Sequence, residues 1–273
     1  MKLYRYWAKE QGTITIPGTF RRSPETKQIN CYGGSNLSME DAIRRAQEKV
    51  TIVQKKVQKD WETIHSYQPS VEIREEIIDE LDSKNIVTRN RYGALVLNSE
   101  NMMMIDVDDA KNGILDLLKG HTGAGWKKPK ILEMIEQQAS RLPELSFMIY
   151  ETSNGYRVLV TGRTFEPKAP ETATIFRRFN ADPLYARLCI KQECFRARLT
   201  PKPYRIKCKR HHVVYPRTQE EDVDLKSWIE TYSELARNYA SCKFIRVIGS
   251  SHGDPIIQYH DELTRAHEHL ELA

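Results

Sequence analysis

The chain has 273 residues, of which 40% are hydrophobic, and it carries a formal net charge of +5 with a pI of about 8.8. No apolar run approaches the roughly 18 residues of a membrane span, and the basic start lacks the apolar stretch of a secretory signal, so we expect no membrane partner. Five irregularly spaced cysteines favour free thiols in a reducing compartment, the cytoplasm.

Residues 1–84 are predicted to form an N-terminal region that packs on the rest of the chain. Short alternating stretches and glycine-containing turns over residues 1–37 indicate short strands. Ser38 then caps a helix, because an acidic residue stands three positions later and apolar residues follow at helical spacing as far as Val57. A second helical pattern covers about 71–81.

Residues 85–217 form the predicted core region, which begins with extended chain. Two strands, 94–97 and 102–105, are predicted to pair as a hairpin through the polar turn 98–101. A glycine-rich connector follows at 119–125. This part of the chain supplies the strand that leads to the candidate acidic residues.

A second hairpin joins predicted strands at 147–152 and 156–160, and a last strand covers 243–248. The turn contains Asn154 and Gly155, an Asn-Gly pair that supplies the positive φ of a tight hairpin turn. Helices are predicted over 129–141, 171–179, 182–192, 224–239 and 261–272, the last two within a C-terminal helical region, 218–273. Because helices and strands mix without regular alternation, the sequence predicts an α+β fold with a mixed or antiparallel sheet flanked by helices.

Asp106 and Asp108 follow the apolar run Met102–Ile105. If the strand continues that far, both carboxylates project from the same face, because residues i and i+2 of a strand point the same way. Two adjacent carboxylates repel each other unless a cation lies between them, and Mg²⁺ or Mn²⁺ prefers oxygen ligands of this kind. The alternative is a pair of solvated acids at a strand end.

A basic segment follows further along the chain. From Cys194 to Arg217 there are eight lysines or arginines and no acid, so this stretch attracts polyanions such as nucleic acid or nucleotide phosphates. Arg196 and Arg198 alternate with apolar residues, so a strand places both on one face. The alternatives are a solvated basic face or an edge strand protected by its charges.

The residues after this strand extend the positive surface. Lys202 and Arg205 add charge, two prolines forbid regular helix, and Tyr204 offers a ring on which a nucleic-acid base stacks. Arg89 and Arg91 either face the same groove as nucleic-acid contacts or solvate a loop.

A zinc site is not favoured by the spacing of its possible ligands. The cysteines and histidines of this region lack a Cys-x-x-Cys pair, and adjacent histidines seldom both bind one ion. They are Cys189, Cys194, Cys208, His211 and His212.

The order of these motifs resembles the archaeo-eukaryotic primase superfamily, which includes primase-polymerases. Its first motif is a hydrophobic strand ending in Asp-x-Asp, matched by Ile105–Asp108. Its second is a strand–turn–strand element, matched by Thr152–Arg157, with Arg157 near the position of the family's histidine. Its third is a later carboxylate, for which Asp222, Asp224 and Asp254 are available.

The resemblance implies an RRM-like catalytic core over about residues 90–215 and metal-dependent phosphoryl transfer. Asp106 and Asp108 would hold Mg²⁺ or Mn²⁺ as the catalytic metal ligands. The partners would be nucleoside triphosphates and nucleic acid, either single-stranded or as a primer-template. The nucleotide phosphates would be bound by Arg157, Arg196, Arg198, Lys202 and Arg205.

Three functions follow from these expectations. The first is a nucleotidyltransferase of the primase-polymerase type. The second is a nucleic-acid-binding module that has lost catalysis, and the third is a metal-dependent nuclease that uses the same carboxylates. Salt-dependent binding without turnover would indicate the second, and shortened products would indicate the third.

Overall fold

The structure is a computed structural model that describes residues 1–18, 23–59, 72–108, 128–212, 214–250 and 253–273. Its contacts divide the chain into two units. The smaller unit is Lys2–Glu76 with Val214–Gln219, and the larger unit is Ile77–Val213 and Glu220–Ala273 with Met1. All the candidate site residues therefore belong to the larger unit.

The smaller unit is a long β-hairpin with one helix. Strands β1 (Tyr6–Ile16) and β2 (Glu25–Ser35) pair antiparallel, so the short strands expected from sequence are two strands of 11 residues each. Helix α1 (Met39–Lys59) begins at the predicted cap, where the Ser38 hydroxyl accepts from the backbone N–H of Asp41 at 3.2 Å. The predicted first helix is thus confirmed.

The larger unit contains two four-stranded sheets. One has the strand order β3-β4-β5-β9, and the other has the order β11-β7-β8-β6. The first consists of β3 (Glu76–Glu80), β4 (Asn85–Arg89), β5 (Leu95–Ser99) and β9 (Phe195–Arg198). The second consists of β6 (Met103–Asp108), β7 (Ser146–Thr152), β8 (Gly155–Thr161) and β11 (Cys242–Ile248), with every neighbouring pair antiparallel.

Helices surround these sheets, and the α+β class is confirmed. They are α2 (Lys128–Ala139), α3 (Pro170–Arg178), α4 (Pro183–Gln192), α5 (Gln219–Ala236) and α6 (Pro255–Thr264), with a 3₁₀ turn at Pro203–Ile206. Two short strands, β10 (Tyr239–Ala240) and β12 (Glu271–Leu272), pair in parallel. No helix in the described part of the chain is both long enough and apolar enough to cross a membrane.

Two local predictions are wrong. Strands β5 and β6 do not pair with each other but enter different sheets, because the turn between them redirects the chain: the Ser99 hydroxyl accepts from the backbone N–H of Met102 at 2.8 Å. The helix expected over 71–81 is also absent from its described part, where β3 lies next to β4 instead.

The C-terminal helix, predicted over 261–272, lies earlier in the chain than expected. Helix α6 ends at Thr264, and Arg265 follows with a φ of 59°, a left-handed conformation that terminates the helix. The chain then runs to β12 instead of continuing as the helix expected to 272. The predicted connector 119–125 lies outside the described residues.

The β7–β8 hairpin is confirmed, although the expected reason for its glycine is wrong. Thr152 pairs with Gly155, so the turn is Ser153–Asn154, and neither Asn154 nor Gly155 has a positive φ. Gly155 stands in β8, where a Cβ would lie 2.1 Å from the carbonyl oxygen of Val107. A glycine is needed here because the two backbones approach closely.

One face of the β11-β7-β8-β6 sheet is apolar, and the other carries both apolar and charged side chains. On the apolar face, Ile105, Val158 and Ile149 stand opposite one another across β6, β8 and β7, and all three are fully buried. Ile131 and Ile135 of α2 belong to the same hydrophobic core. The alternate residues form the other face, on which Met104 and Leu159 also belong to the core and Asp106 and Arg157 carry the candidate site.

Candidate functional site

Strand β6 continues through Asp108, as the carboxylate-pair prediction requires. Asp106 and Asp108 therefore share one face, with Asp106 half-buried and Asp108 exposed, while Val107 between them is buried in the core. Among the described residues, no lysine, arginine or histidine forms an ion pair with either carboxylate. Two unpaired acids on one face leave room for a cation.

The electrostatic surroundings of Asp108 are mixed in sign. Partial burial and the negative charges of Asp106 and Asp182 raise the pKa of its carboxyl group, whereas Lys202 and Arg198 act to lower it. The net direction is upward, so the ionised form is disfavoured in the absence of a bound cation.

Asp182 is a third carboxylate in this neighbourhood, and the sequence analysis missed it. Its backbone N–H donates to the carbonyl oxygen of Asp106 at 2.9 Å, and its side chain caps α4 by accepting from the N–H of Tyr185 at 2.6 Å. An aspartate before a proline is a helix-cap signal. That signal predicts the cap but not its position beside β6.

The outer edge of β6 is covered by the start of α4. Besides the bond from Asp182 to Asp106, the Tyr185 hydroxyl donates to the carbonyl oxygen of Met104 at 2.7 Å. Met104 and Asp106 are two residues apart, so both carbonyls point outward from the sheet. These bonds fix the strand that carries the carboxylates.

Arg157 of β8 stands directly opposite Asp106 in the antiparallel ladder. Its side chain is only 6% exposed, and its Nη1 atom donates to the carbonyl oxygen of Arg198 at 2.9 Å. The same Nη1 atom lies 3.2 Å from Nε2 of His260. The structure thus brings the second predicted motif against the first.

Strand β9 places Arg196 and Arg198 as predicted. Both are half-buried and alternate with Phe195 and Ala197, which are buried. Arg196 extends back toward α4, where its Nη1 atom donates to Gln192 at 3.5 Å. The negative charge of Asp106 acts to raise the pKa of Arg198.

The positive charge around Arg198 is concentrated. Burial, together with the charges of Arg157 and Arg205, lowers the pKa of Arg198 to about 10. Its buried Nε atom has no hydrogen-bond partner among the described residues. Both observations indicate that the cluster lacks an anionic acceptor.

The 3₁₀ turn after β9 presents an aromatic ring between cations. Tyr204 is 65% exposed. The Nζ atom of Lys202 and the guanidinium carbon of Arg205 each lie 5.9 Å from its ring centre. The charge of Lys202 also acts to lower the pKa of Asp108. Lys202 therefore connects this turn electrostatically to the carboxylates.

Arg89 is the last residue of β4, and Arg91 lies in the β4–β5 turn. Arg89 is half-buried and donates to the carbonyl oxygen of Gly93 at 2.9 Å, so it supports the turn. Arg91 is exposed, and its Nη2 atom donates to the hydroxyl of Tyr92 at 2.8 Å. Arg210 also stacks on Tyr92, with its guanidinium carbon 5.7 Å from the ring centre.

The three later acids considered from sequence have other surroundings. Asp222 and Asp224 are in the first turns of α5, where Asp222 pairs with Lys226 at 2.9 Å. Asp254 caps α6 by accepting from the N–H of Ile256 at 2.8 Å. Within the described ranges, the carboxylates whose charges raise the pKa of Asp108 are Asp106 and Asp182.

No group of three or more His, Cys, Asp or Glu side chains in the described part of the chain is arranged to hold a metal ion. A zinc site built from the cysteines is likewise not seen there, and all five cysteines are free and buried. The Asp106–Asp108 pair still fits Mg²⁺ or Mn²⁺, because these ions often take one or two carboxylates and complete their shell with water and substrate phosphates.

A cavity of about 750 Å³ opens at the opposite end of β6 from the carboxylates. Met102 and Val160 line it, and Met102 precedes Asp106 by four residues, a separation of roughly 13 Å along a strand. This cavity is therefore distinct from the carboxylate site.

No protein-family model, curated protein or solved structure matches this chain. The resemblance to primase-polymerases therefore depends on the motifs and their geometry alone.

Proposed function

We propose that this chain is a metal-dependent nucleotidyltransferase of the primase-polymerase type, acting on nucleic acid with nucleoside triphosphates. One observation carries the proposal: the unpaired carboxylates Asp106 and Asp108 lie beside a cluster of cations that lacks an anionic acceptor. A metal-bound triphosphate supplies both missing charges, since its cation meets the carboxylates and its phosphates meet the arginines.

Each part of the site then has a chemical role. Asp106 and Asp108 would hold Mg²⁺ or Mn²⁺, and Asp182 would add negative charge in their neighbourhood. The bound metal would activate the attacking oxygen and stabilise the leaving one. Arg198, Arg157 and Lys202 would bind and orient the phosphates, and Arg205 would extend this surface.

The nucleic acid would pass over the exposed aromatic edge of the site. Tyr204 offers a ring for base stacking, and the flanking Lys202 and Arg205 offer charges for the backbone. Arg91 and Tyr92 form a second aromatic–cation pair in the β4–β5 turn. Single-stranded nucleic acid or a primer-template fits such a surface.

The proposal includes an RRM-like core formed by the β11-β7-β8-β6 sheet. Its first elements follow the order β6, α2, β7 and β8, and β11 joins the sheet beside β7 after α3, α4, β9, α5 and β10. A role in DNA replication and a cytoplasmic location also belong to the proposal. Five buried free cysteines fit a reducing compartment.

A second candidate is a nucleic-acid-binding module without catalysis. The specific observation in its favour is that the described residues contain no three-membered group of metal ligands. Such a module would bind single-stranded nucleic acid through Tyr204 and its neighbouring cations, with an affinity that falls as salt concentration rises.

A primer-synthesis and extension assay with Mn²⁺ tests the proposal. We expect labelled nucleotide to be incorporated by the wild-type chain and by Asp224→Ala, an exposed control acid, but not by Asp106→Ala or Asp108→Ala. Unchanged activity in both site variants would refute the metal assignment. Binding without any incorporation would favour the binding module, and shortened single strands would indicate a nuclease.

A further inference from the structure

The guanidinium of Arg157 is held by an imidazole from a distant part of the chain. Its Nη1 atom lies 3.2 Å from Nε2 of His260, which belongs to α6. An arginine is always protonated and only donates hydrogen bonds, so Nε2 of His260 must be the acceptor. The imidazole proton is therefore on Nδ1, which lies 2.9 Å from Oδ1 of Asp261.

Asp261 is itself held in place from a second direction. Its other oxygen, Oδ2, lies 2.9 Å from Nε2 of His267. The result is a chain of contacts from His267 through Asp261 and His260 to Arg157, which ends opposite Asp106. Carboxylate–imidazole pairs of this type fix both the tautomer and the ring orientation of a histidine.

His260 is fully buried, and its ring packs edge-on against Tyr150 with centroids 4.9 Å apart. Burial and the charge of Arg157 lower its pKa to about 4, despite the opposing effect of Asp261. The imidazole is therefore neutral at physiological pH, as an acceptor for Arg157 must be.

Stability alone does not explain this arrangement. Arg157 is buried next to a second cation, Arg198, and the two charges disfavour each other. Well-packed apolar side chains generally stabilise an interior at least as well as buried charges do. A buried cation held by a neutral acceptor is instead suited to meeting an anion.

We propose that His260, oriented by Asp261, is a positioning residue that fixes the guanidinium of Arg157, the residue opposite Asp106 in the ladder, for contact with the phosphates of a nucleoside triphosphate. This inference rests on the proposed function. It predicts that the loss of His260 acts on nucleotide affinity only through Arg157.

The test measures equilibrium binding of deoxyadenosine triphosphate with Mn²⁺ to the full chain by calorimetry. His260→Leu should weaken binding about tenfold, because it removes a hydrogen-bond acceptor of a charged group. His260→Gln places an amide oxygen near the Nε2 position and should remain within about threefold of wild type. Tyr259→Phe, on the same helix but bonded to Asp79, is the matched control and should bind as wild type does.

A double-mutant cycle separates positioning from a merely structural role. In an Arg157→Lys background, the further change His260→Leu should alter affinity by less than about twofold, because the guanidinium that His260 positions is gone. If His260→Leu does not fold, His260→Asn replaces it, since its shorter side chain cannot reach Arg157.

The outcomes distinguish the two proposals. If the wild-type chain binds no metal–nucleotide complex, the proposed function fails and this inference fails with it. If wild type binds but the His260 variant binds equally well, or loses affinity to the same extent in the Arg157→Lys background, the positioning role alone is overturned.

Discussion

The two faces of the β11-β7-β8-β6 sheet differ in chemistry although they share the same strands. On one face Ile105, Val158 and Ile149 are fully buried and pack in the core with α2. On the other, the residues that alternate with them are Asp106, Arg157 and Tyr150 in equivalent cross-strand positions. One residue of displacement along β6 and β8 leads from two apolar core side chains to the charged Asp106 and Arg157.

The comparison supports the proposal that the charged part of the second face binds a ligand. Aliphatic side chains stabilise the fold by roughly 25 cal/mol for each Å² of apolar surface buried. Charges placed inside a protein stabilise little unless each one is paired. The positive charges of Arg157 and Arg198 repel each other, and the two β6 carboxylates have no ion pair to a described cation. The charges of this face are therefore better compensated by a bound ligand than by one another. We therefore expect substitutions on the two faces to have opposite consequences.

The largest expected effect is on catalysis, from the charged part of the second face. Asp106→Asn should reduce the rate of nucleotide incorporation at least about 100-fold, because a bound metal supplies several kcal/mol of transition-state stabilisation and 1.36 kcal/mol is a factor of ten. Its free energy of unfolding should match that of wild type within about 1 kcal/mol. Primer-extension rates and urea unfolding measure the two quantities, and a large loss of stability would remove the contrast between the faces.

The second effect is on stability, from the apolar face. Ile149→Ala should lower the free energy of unfolding by about 2–5 kcal/mol, because it removes buried methyl groups and leaves a cavity. The incorporation rate per folded molecule should stay near that of wild type. Ile149→Val, with a loss of about 0.5–1.5 kcal/mol, is the matched control. Activity that falls while stability holds would show that the apolar face also serves the site.

A third, smaller effect concerns the exposed ring of Tyr204. Tyr204→Ala should weaken binding to a single-stranded oligonucleotide by about 1–3 kcal/mol, since stacking of one base on an aromatic ring contributes that much. Tyr204→Phe keeps the ring and should bind as wild type does. Fluorescence anisotropy at one fixed salt concentration measures both. Equal losses in the two variants would assign the effect to the hydroxyl group instead of stacking.

The smallest effect is a pH dependence of stability. The pKa of Asp108 is raised above its ordinary 3.8 by burial, Asp106 and Asp182, so the folded state binds this proton more tightly than the unfolded state does. Its contribution is therefore complete below about pH 3.8 and is lost as pH rises through the folded value.

Asp108→Asn removes this loss, so in chelator the variant should equal wild type at low pH and exceed it near pH 7. The gain should be below about 1 kcal/mol, because Asp108 is exposed and solvent screens the repulsion. Unfolding in urea at several pH values measures the difference. A difference that does not change with pH would contradict the assignment to Asp108.

Local patterns were sufficient for the parts of the site that lie on one strand. Alternation of buried and polar residues correctly predicted the shared face of Asp106 and Asp108 and that of Arg196 and Arg198. The β7–β8 hairpin that carries Arg157 was also correctly predicted. These features depend only on the two-residue period of a strand, which a sequence displays directly.

Partners that come from distant parts of the chain could not be predicted. His260 is 103 residues from Arg157, and although its polar surroundings allow an approach to the site, a helix cap is the favoured interpretation from sequence and the contact with Arg157 is not specified. Asp182 carried a readable cap signal, but its approach to β6 depends on the packing of α4. The prediction of a hairpin between β5 and β6 is wrong for the same reason, because it also depends on contacts between distant segments. A polar turn between two apolar runs does not determine whether the two strands belong to one sheet.

The covered edge of β6 has a consequence for the behaviour of the protein at high concentration. Strands at the rim of a sheet invite a strand from another molecule, which is a common route to aggregation. Here the outward carbonyls of Met104 and Asp106 are already occupied by Tyr185 and Asp182. A second copy would have to displace the start of α4 before it could pair along β6, so this rim is protected against self-association.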